Sequence, residues 1–294
     1  MFNISKELEL YFELKGTPAS SRESYARRII AFNEFLRARD KSPDEAVTRD
    51  VQEYILYLRQ KKGLSAGTIN TYISSIRFFF IHVLGKDWDK NRIPRMRRVR
   101  KLPVVPPKED VLAILDLTTN LKHKAMLSLL YGSGLRVSEV ARLKIGDICS
   151  KTMQVRVENA KHNTNRNSIL SADALETLRS YFRAYRSGGQ YTLKDWLFTG
   201  RDPKEHINVK TIKNTLIKLR DRLQLDSRIS AHTLRHCFAT HLLEDGVSPV
   251  HVQHLLGHKG FGTTAGYLHL TSKSRMGIKS PLDCKTISLS TEIT

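Results

Sequence analysis

Six polar residues spread between positions 136 and 267 carry side chains that together could break and remake a phosphodiester: Arg136, Lys161, His232, Arg235, His258 and Tyr267. Cleaving such a bond without a metal means neutralising two non-bridging oxygens as charge builds on them. Two guanidiniums do this well, because they are permanently charged and offer paired donors to phosphate. The reaction also needs a nucleophile, and a tyrosine phenol with an ordinary pKa of about 10 needs help in losing its proton. The departing 5′ oxygen needs an acid, a task for a lysine or a histidine. Taken singly, each residue has an ordinary structural explanation: a surface arginine, a lysine in a turn, a histidine packed among leucines, a tyrosine in a core. Taken together, they fill every role, and the chemistry calls for no carboxylate cluster and no metal.

The elements that must position these groups can be read from periodicity. Arg136 follows the break Gly132-Ser133-Gly134 and opens a short helix that also carries Glu139. Met153, Val155 and Val157 alternate with Gln154, Arg156 and Glu158, which predicts a half-buried strand. Residues 167–170 return as its partner after a turn at Asn163-Thr164-Asn165, which places Lys161 at the hairpin tip. His232 and Arg235 are three apart and share a helical face. His258 lies just past a helix for which Ser248 is the cap, Pro249 the first position and Gly257 the stop. Tyr267 follows nine residues later. Further helices are predicted over residues 108–117, 123–131, 174–185, 209–223 and 233–243, and no internal repeat is evident.

A zinc site competes for the histidines, since His232 and His236, and separately His254 and His258, have i, i+4 spacing. The metalloprotease pattern needs a glutamate after the first histidine, and here those positions hold Thr233 and Leu255. Arg235 would also lie beside a dication, and no Cys-Cys spacing assists. The Gly132-Ser133-Gly134 break lacks the Gly-Lys-Ser/Thr of a phosphate loop.

The first part of the chain is predicted to be a small helical domain, residues 1–90. Its four helices carry apolar stripes: Ile4, Leu8, Tyr11 and Phe12; then Tyr25, Ile29, Phe32 and Leu36, capped by Ser20 or Ser21; then Val51, Ile55 and Leu58, preceded by Thr48; then Ile69, Ile73, Ile76 and Phe80, preceded by Ser65. Residues 91–107 form a linker, basic over 92–101 and then extended by Pro103, Pro106 and Pro107. Residues 108–294 form the second domain. The fold class is mainly α: a helical first domain and a mostly helical α+β second domain with a small antiparallel sheet.

Lys plus Arg number 49 and Asp plus Glu 29, so the net charge is 49 − 29 = +20 at pH 7 with histidine neutral. An excess spread along the chain attracts polyanions, and nucleic acid heads the expected partners. No apolar run approaches the roughly 20 residues that span a bilayer, so no membrane partner is expected. The N-terminus lacks a signal pattern. Cys149, Cys237 and Cys284 are odd in number and far apart, which fits reduced thiols in a cytoplasm.

In order and spacing, Gly134-Leu135-Arg136 with Glu139, His232-x-x-Arg235-His236, and Leu256-Gly257-His258 with Thr263-Thr264 and Tyr267 resemble the tyrosine recombinase or phage integrase family, which includes Xer-like proteins and integron and transposon integrases. The resemblance covers essentially the whole chain. It implies site-specific cleavage and rejoining of double-stranded DNA through a 3′-phosphotyrosine. Arg136 and Arg235 would clamp the phosphate, and Tyr267 would attack it. His232 would act as acid or base toward the tyrosine oxygen, Lys161 would protonate the 5′ oxygen, His258 would donate to a phosphate oxygen, and Glu139 would support the site. It further implies a clamp around the duplex. The second and fourth helices of the core-binding first domain would lie on one side, the catalytic domain on the other, and the basic linker between. The DNA would carry inverted repeats, bound by a dimer on each site and a tetramer in the synapse.

Gly260, Phe261, Gly262 and Gly266 depart from the more polar pattern common in the family, which suggests a nucleophile on a flexible segment. In the tail, Ile287 and Leu289 alternate with polar residues, so an added strand docking on a neighbouring subunit and a disordered tail both remain open. Two other functions fit the same residues: DNA relaxation of the topoisomerase IB kind, and a DNA-binding homologue without catalysis.

Overall fold

The computed structural model describes residues 4–97, 103–160, 164–258 and 260–268, and the chain divides into two compact units, Met1–Lys101 and Leu102–Thr294. Four helices build the first: α1 (Ile4–Leu14), α2 (Ala19–Arg37), α3 (Thr48–Gln60) and α4 (Ala66–His82). The predicted stripes form its core, with Leu8, Phe12, Ile29, Phe32, Leu36, Val51, Leu58, Ile69, Ile73, Ile76 and Phe80 all buried. Two helix starts differ from expectation. Helix α2 begins behind Pro18, so neither Ser20 nor Ser21 occupies the cap position. Helix α3 is capped one residue earlier, at Val47, whose amide donates to the Asp50 carboxylate at 2.8 Å. Ser65 caps α4 as expected, its hydroxyl accepting from the Thr68 amide at 3.3 Å. Asn70, buried on α4, returns the following chain onto the bundle: its side chain donates to the Met96 carbonyl and accepts from the Met96 amide, both at 2.9 Å.

The second unit contains α5 (Lys108–Asp116), α6 (Leu121–Gly132), α7 (Val137–Ala141), β1 (Ile148–Cys149), β2 (Gln154–Ala160), β3 (Thr164–Ile169), α8 (Ala172–Arg186), α9 (Val209–Arg222), α10 (Ala231–Glu244), α11 (Pro249–Leu256) and α12 (Phe261–Leu268). The sheet is antiparallel in the order β1-β2-β3, with Val155 opposite Ser168 and Arg156 opposite Asn167. The two-residue β1 was not predicted, being too short to show a period. Thr164 and Asn165, expected in the turn, belong to β3, while Lys161 and Asn163 lie outside the described residues. Residues 98–102 of the linker and the tail after Leu268 also lie outside them. Helices α6 and α10 are buried around most of their circumference, which ranks them as central elements on which the others pack. Ser248 precedes α11 without a side-chain cap bond, and Gly257 ends that helix in the left-handed region, φ +63°.

The segment carrying Tyr267 is a helix, α12. Gly266 within it has no other heavy atom within 4 Å of where a Cβ would lie, so its lack of a side chain answers no steric demand. Gly134 is the opposite case. Its φ is +59°, and a Cβ there would fall 2.3 Å from the Phe238 ring. Gly134→Ala is therefore expected to destabilise the second unit by more than ~2 kcal/mol through strain and overpacking. Gly266→Ala should stabilise it by about 0.5–1 kcal/mol. Urea unfolding midpoints of the two variants should move in opposite directions from wild type.

Candidate active site

The site is organised around Glu139 on α7. Its side chain is 7% exposed and receives four charge-assisted bonds. The Arg136 amide donates to Oε2 at 2.8 Å and Arg136 Nη1 to Oε1 at 2.7 Å. Arg166 on β3 donates through Nη1 at 2.9 Å and Nη2 at 2.7 Å, one to each oxygen. Burial by itself would raise the Glu139 pKa, but the bonds and charges of Arg166 and Arg136 overcome it and hold the carboxyl at about 2.

Arg235 enters from α10 and is 1% exposed. It donates from Nη1 to the Gly134 carbonyl and from Nη2 to the Leu256 carbonyl, both at 2.7 Å, and Nη1 stands 3.8 Å from Glu139. Burial, then repulsion from Arg136, lowers its pKa to about 10, so it stays charged at neutral pH. The same Nη2 lies 3.3 Å from His258 Nε2. A guanidinium can only donate, so Nε2 is the acceptor. The imidazole proton is then on Nδ1, which faces Thr264 Oγ1 at 2.9 Å.

Tyr267, 5% exposed on α12, shares a 3.0 Å hydrogen bond between its hydroxyl and His236 Nδ1. Its ring lies nearly parallel to His258, with centroids 6.1 Å apart. Burial raises the phenol pKa, while Arg235 and Arg136 pull against that rise. His232, on the first turn of α10, meets the His236 ring edge-on at 4.5 Å. Part of its surface is open to solvent, yet loss of water from the remainder, then the charges of Arg235 and Arg136, lowers its pKa. Burial, then neighbouring cations, brings His258 to about 4; burial, then His232 and Arg235, does the same for His236.

The structure therefore brings Arg136, His232, Arg235, His258 and Tyr267 into one neighbourhood within a single chain, while Lys161 lies outside the described residues. His254 and His258 share no helical face, because the left-handed Gly257 intervenes. Three participants escaped the sequence reading. His236 had been considered as half of a zinc pair and as part of a motif, and Thr264 only as part of a motif, neither with a role at the site. Arg166 was absent from it, although Arg166 and Ser168 share strand parity and Ser168 is 1% exposed, which marks that face as inward. Among the described residues no helix is long and apolar enough to cross a membrane.

Helices α10, α11 and α12 thus close on the α7 start and the sheet to form an arginine-rich cluster beside a tyrosine, and sequence comparison identifies the class. The phage integrase family profile matches residues 107–274, and the profile of the phage integrase N-terminal SAM-like domain matches residues 4–90. The tyrosine recombinase XerD of Staphylococcus saprophyticus is 32% identical over 94% of this chain and 96% of its own. The tyrosine recombinase XerA of Pyrococcus horikoshii is 30% identical over 92% and 90%. The crystal structure of the XerH site-specific recombinase bound to its palindromic difH substrate aligns with a TM-score of 0.70 at 20% identity, covering 92% of this chain and 82% of that one. The chain belongs to the phage integrase family of tyrosine recombinases.

The depressed histidines carry a stability consequence. His232, His236 and His258 take up protons more readily unfolded than folded, so stability is full above about pH 6.5 and falls as the pH drops toward 4. The melting temperature of the second unit should fall by several degrees between pH 7.5 and 5. A variant combining His236→Gln and His258→Gln should show a clearly shallower dependence in paired thermal melts.

Proposed function

We propose that Tyr267 of this site-specific DNA recombinase attacks a scissile phosphate held by Arg136 and Arg235. The phenol oxygen forms a bond to phosphorus, the bond to the 5′ oxygen breaks, and a 3′-phosphotyrosine and a free 5′ hydroxyl result. The phenol proton leaves toward the histidine pair, with His232 acting as acid or base, while Lys161 protonates the 5′ oxygen. His258, once Nε2 takes up a proton as phosphate draws Arg235 to itself, donates to a non-bridging oxygen, and Glu139 supports the two clamp arginines. Attack by a 5′ hydroxyl reverses each step, and since the phosphotyrosine retains the bond energy, neither metal nor nucleotide is required.

The observation that carries this reading is that the phenol, two histidine rings and two guanidiniums meet in one chain at a place with a surplus of positive charge. Such a place is suited to an anion. The partner is double-stranded DNA with inverted repeats, bound by two subunits per site and four in a synapse, and the protein works in the cytoplasm. The +20 net charge supports the DNA partner.

Incubation with nicked candidate sites should yield an adduct that survives denaturant. Tyr267→Phe should give none. Arg136→Ala or Arg235→Ala should slow its formation by about a hundredfold or more. Lys101→Ala should chiefly weaken binding and its salt dependence. Retention of the adduct in Tyr267→Phe would refute the assignment of the nucleophile.

A further inference from the structure

We infer that Arg166 is a positioning residue that locks the phosphate-clamp arginines and the turn before His258 into one rigid unit. The inference rests on the reading above and concerns a residue with no part in the bond-making steps. Three segments distant in sequence meet at its side chain, which is 7% exposed. Two nitrogens grip Glu139, as described, and through Glu139 they hold Arg136, whose amide and guanidinium both bond to the same carboxylate. The third, Nε, donates to the Leu255 carbonyl at 2.9 Å. Arg235 takes the adjacent carbonyl, Leu256.

The last carbonyls of a helix have no partner within it and carry the negative end of its dipole, so they are natural seats for guanidiniums. Arg166 and Arg235 occupy neighbouring seats at the end of α11, immediately before the turn that presents His258. The packing is close enough to depend on Gly257, since a Cβ at that residue would fall 2.6 Å from Arg166 Cδ. The flat fork of an arginine can serve a carboxylate and a carbonyl at once, and an ammonium cannot reproduce that geometry. The charged groups facing Glu139 among the described residues are Arg136, Arg166 and Arg235. Arg166 thus keeps the carboxylate ionised and directed at Arg136, leaving Arg136 and Arg235 preorganised for phosphate.

The test compares wild type, Arg166→Gln and Arg166→Lys in three measurements: gel-shift affinity, the single-turnover rate of Tyr267 adduct formation on a nicked site, and thermal melting. For Arg166→Gln, affinity should stay within about twofold of wild type while the adduct rate falls about a hundredfold at neutral pH. The deficit relative to wild type should widen as the pH falls from 8 to 5. Without Arg166, burial lifts the Glu139 carboxyl, and its protonation then releases Arg136. Arg166→Lys restores the charge without the fork, so it should recover part of the rate and flatten that trend. Arg166→Gln matching wild type at every pH would overturn the inference, as would a rate loss that merely parallels lost binding with no pH trend. If Arg166→Gln does not fold, a folded Arg166→Lys at the wild-type rate across the same range would overturn it equally. Absence of any adduct in wild type would instead refute the proposed function.

Discussion

The second unit faces one electrostatic constraint above all: Arg136, Arg166 and Arg235 must be held together, largely out of water, with a single carboxylate among them. Desolvating a cation costs several kcal/mol, and like charges add repulsion. Glu139 offsets part of this by bonding two of the guanidiniums directly and standing close to the third. Three positive charges against one negative leave a surplus of two. In the proposed reaction that surplus is the binding site, since a phosphodiester brings one charge in the ground state and accumulates more as it reacts. The fold holds the carboxylate constant, at about 2, so that the surplus does not vary over physiological pH.

The backbone supplies the remaining compensation. Gly134 and Gly257 both adopt left-handed conformations, φ +59° and +63°. The first follows the end of α6 and the second ends α11. Each break turns carbonyls toward the site: Gly134 itself, and Leu255 and Leu256 just ahead of Gly257, accept from Arg235 and Arg166. Residues that sequence presents as punctuation thus create the acceptors that make two buried guanidiniums tolerable. This also explains why α7 is so short. Five residues suffice to place Glu139 one turn from Arg136, and the helix has no further task at the site.

Much of this was legible in sequence where periodicity and covalent geometry dominate. The stripes of α1 to α4, the bounds of α11, and the placement of Arg136 at a helix start follow from residue type and spacing, because burial of one face is what a 3.6-residue period encodes. The neighbourhood of Arg136, His232, Arg235, His258 and Tyr267 was legible only as a set of chemical roles, since no local rule makes residues 136 and 267 neighbours. Strand β3 marks the limit. Its inward face carries Arg166 and Ser168, while Ile169 points outward at 39% exposed. A rule that sends apolar residues inward assigns that strand backwards, and so it misses Arg166. The inversion has a physical reason: the inward positions of β3 meet a charged site and the Ser133 carbonyl, which Ser168 donates to at 2.7 Å, while Val155 and Val157 of β2 supply the apolar share of that face.

The neutral histidines complete the argument. His232, His236 and His258 are held below their ordinary pKa by lost water and by the cations around them, and one result is that the site does not gather further positive charge. Neutrality also makes His258 Nε2 an acceptor for Arg235, and it leaves the His232 and His236 pair available as a proton acceptor beside the Tyr267 hydroxyl. A phosphate entering among the arginines would cancel part of the repulsion that depresses these rings, so each would become more basic as substrate binds. In the proposed reaction, the proton acceptor for the phenol would thereby be strengthened when attack requires it. Burial holds the Tyr267 phenol above its ordinary pKa against the pull of Arg235 and Arg136, so its deprotonation depends on such an acceptor.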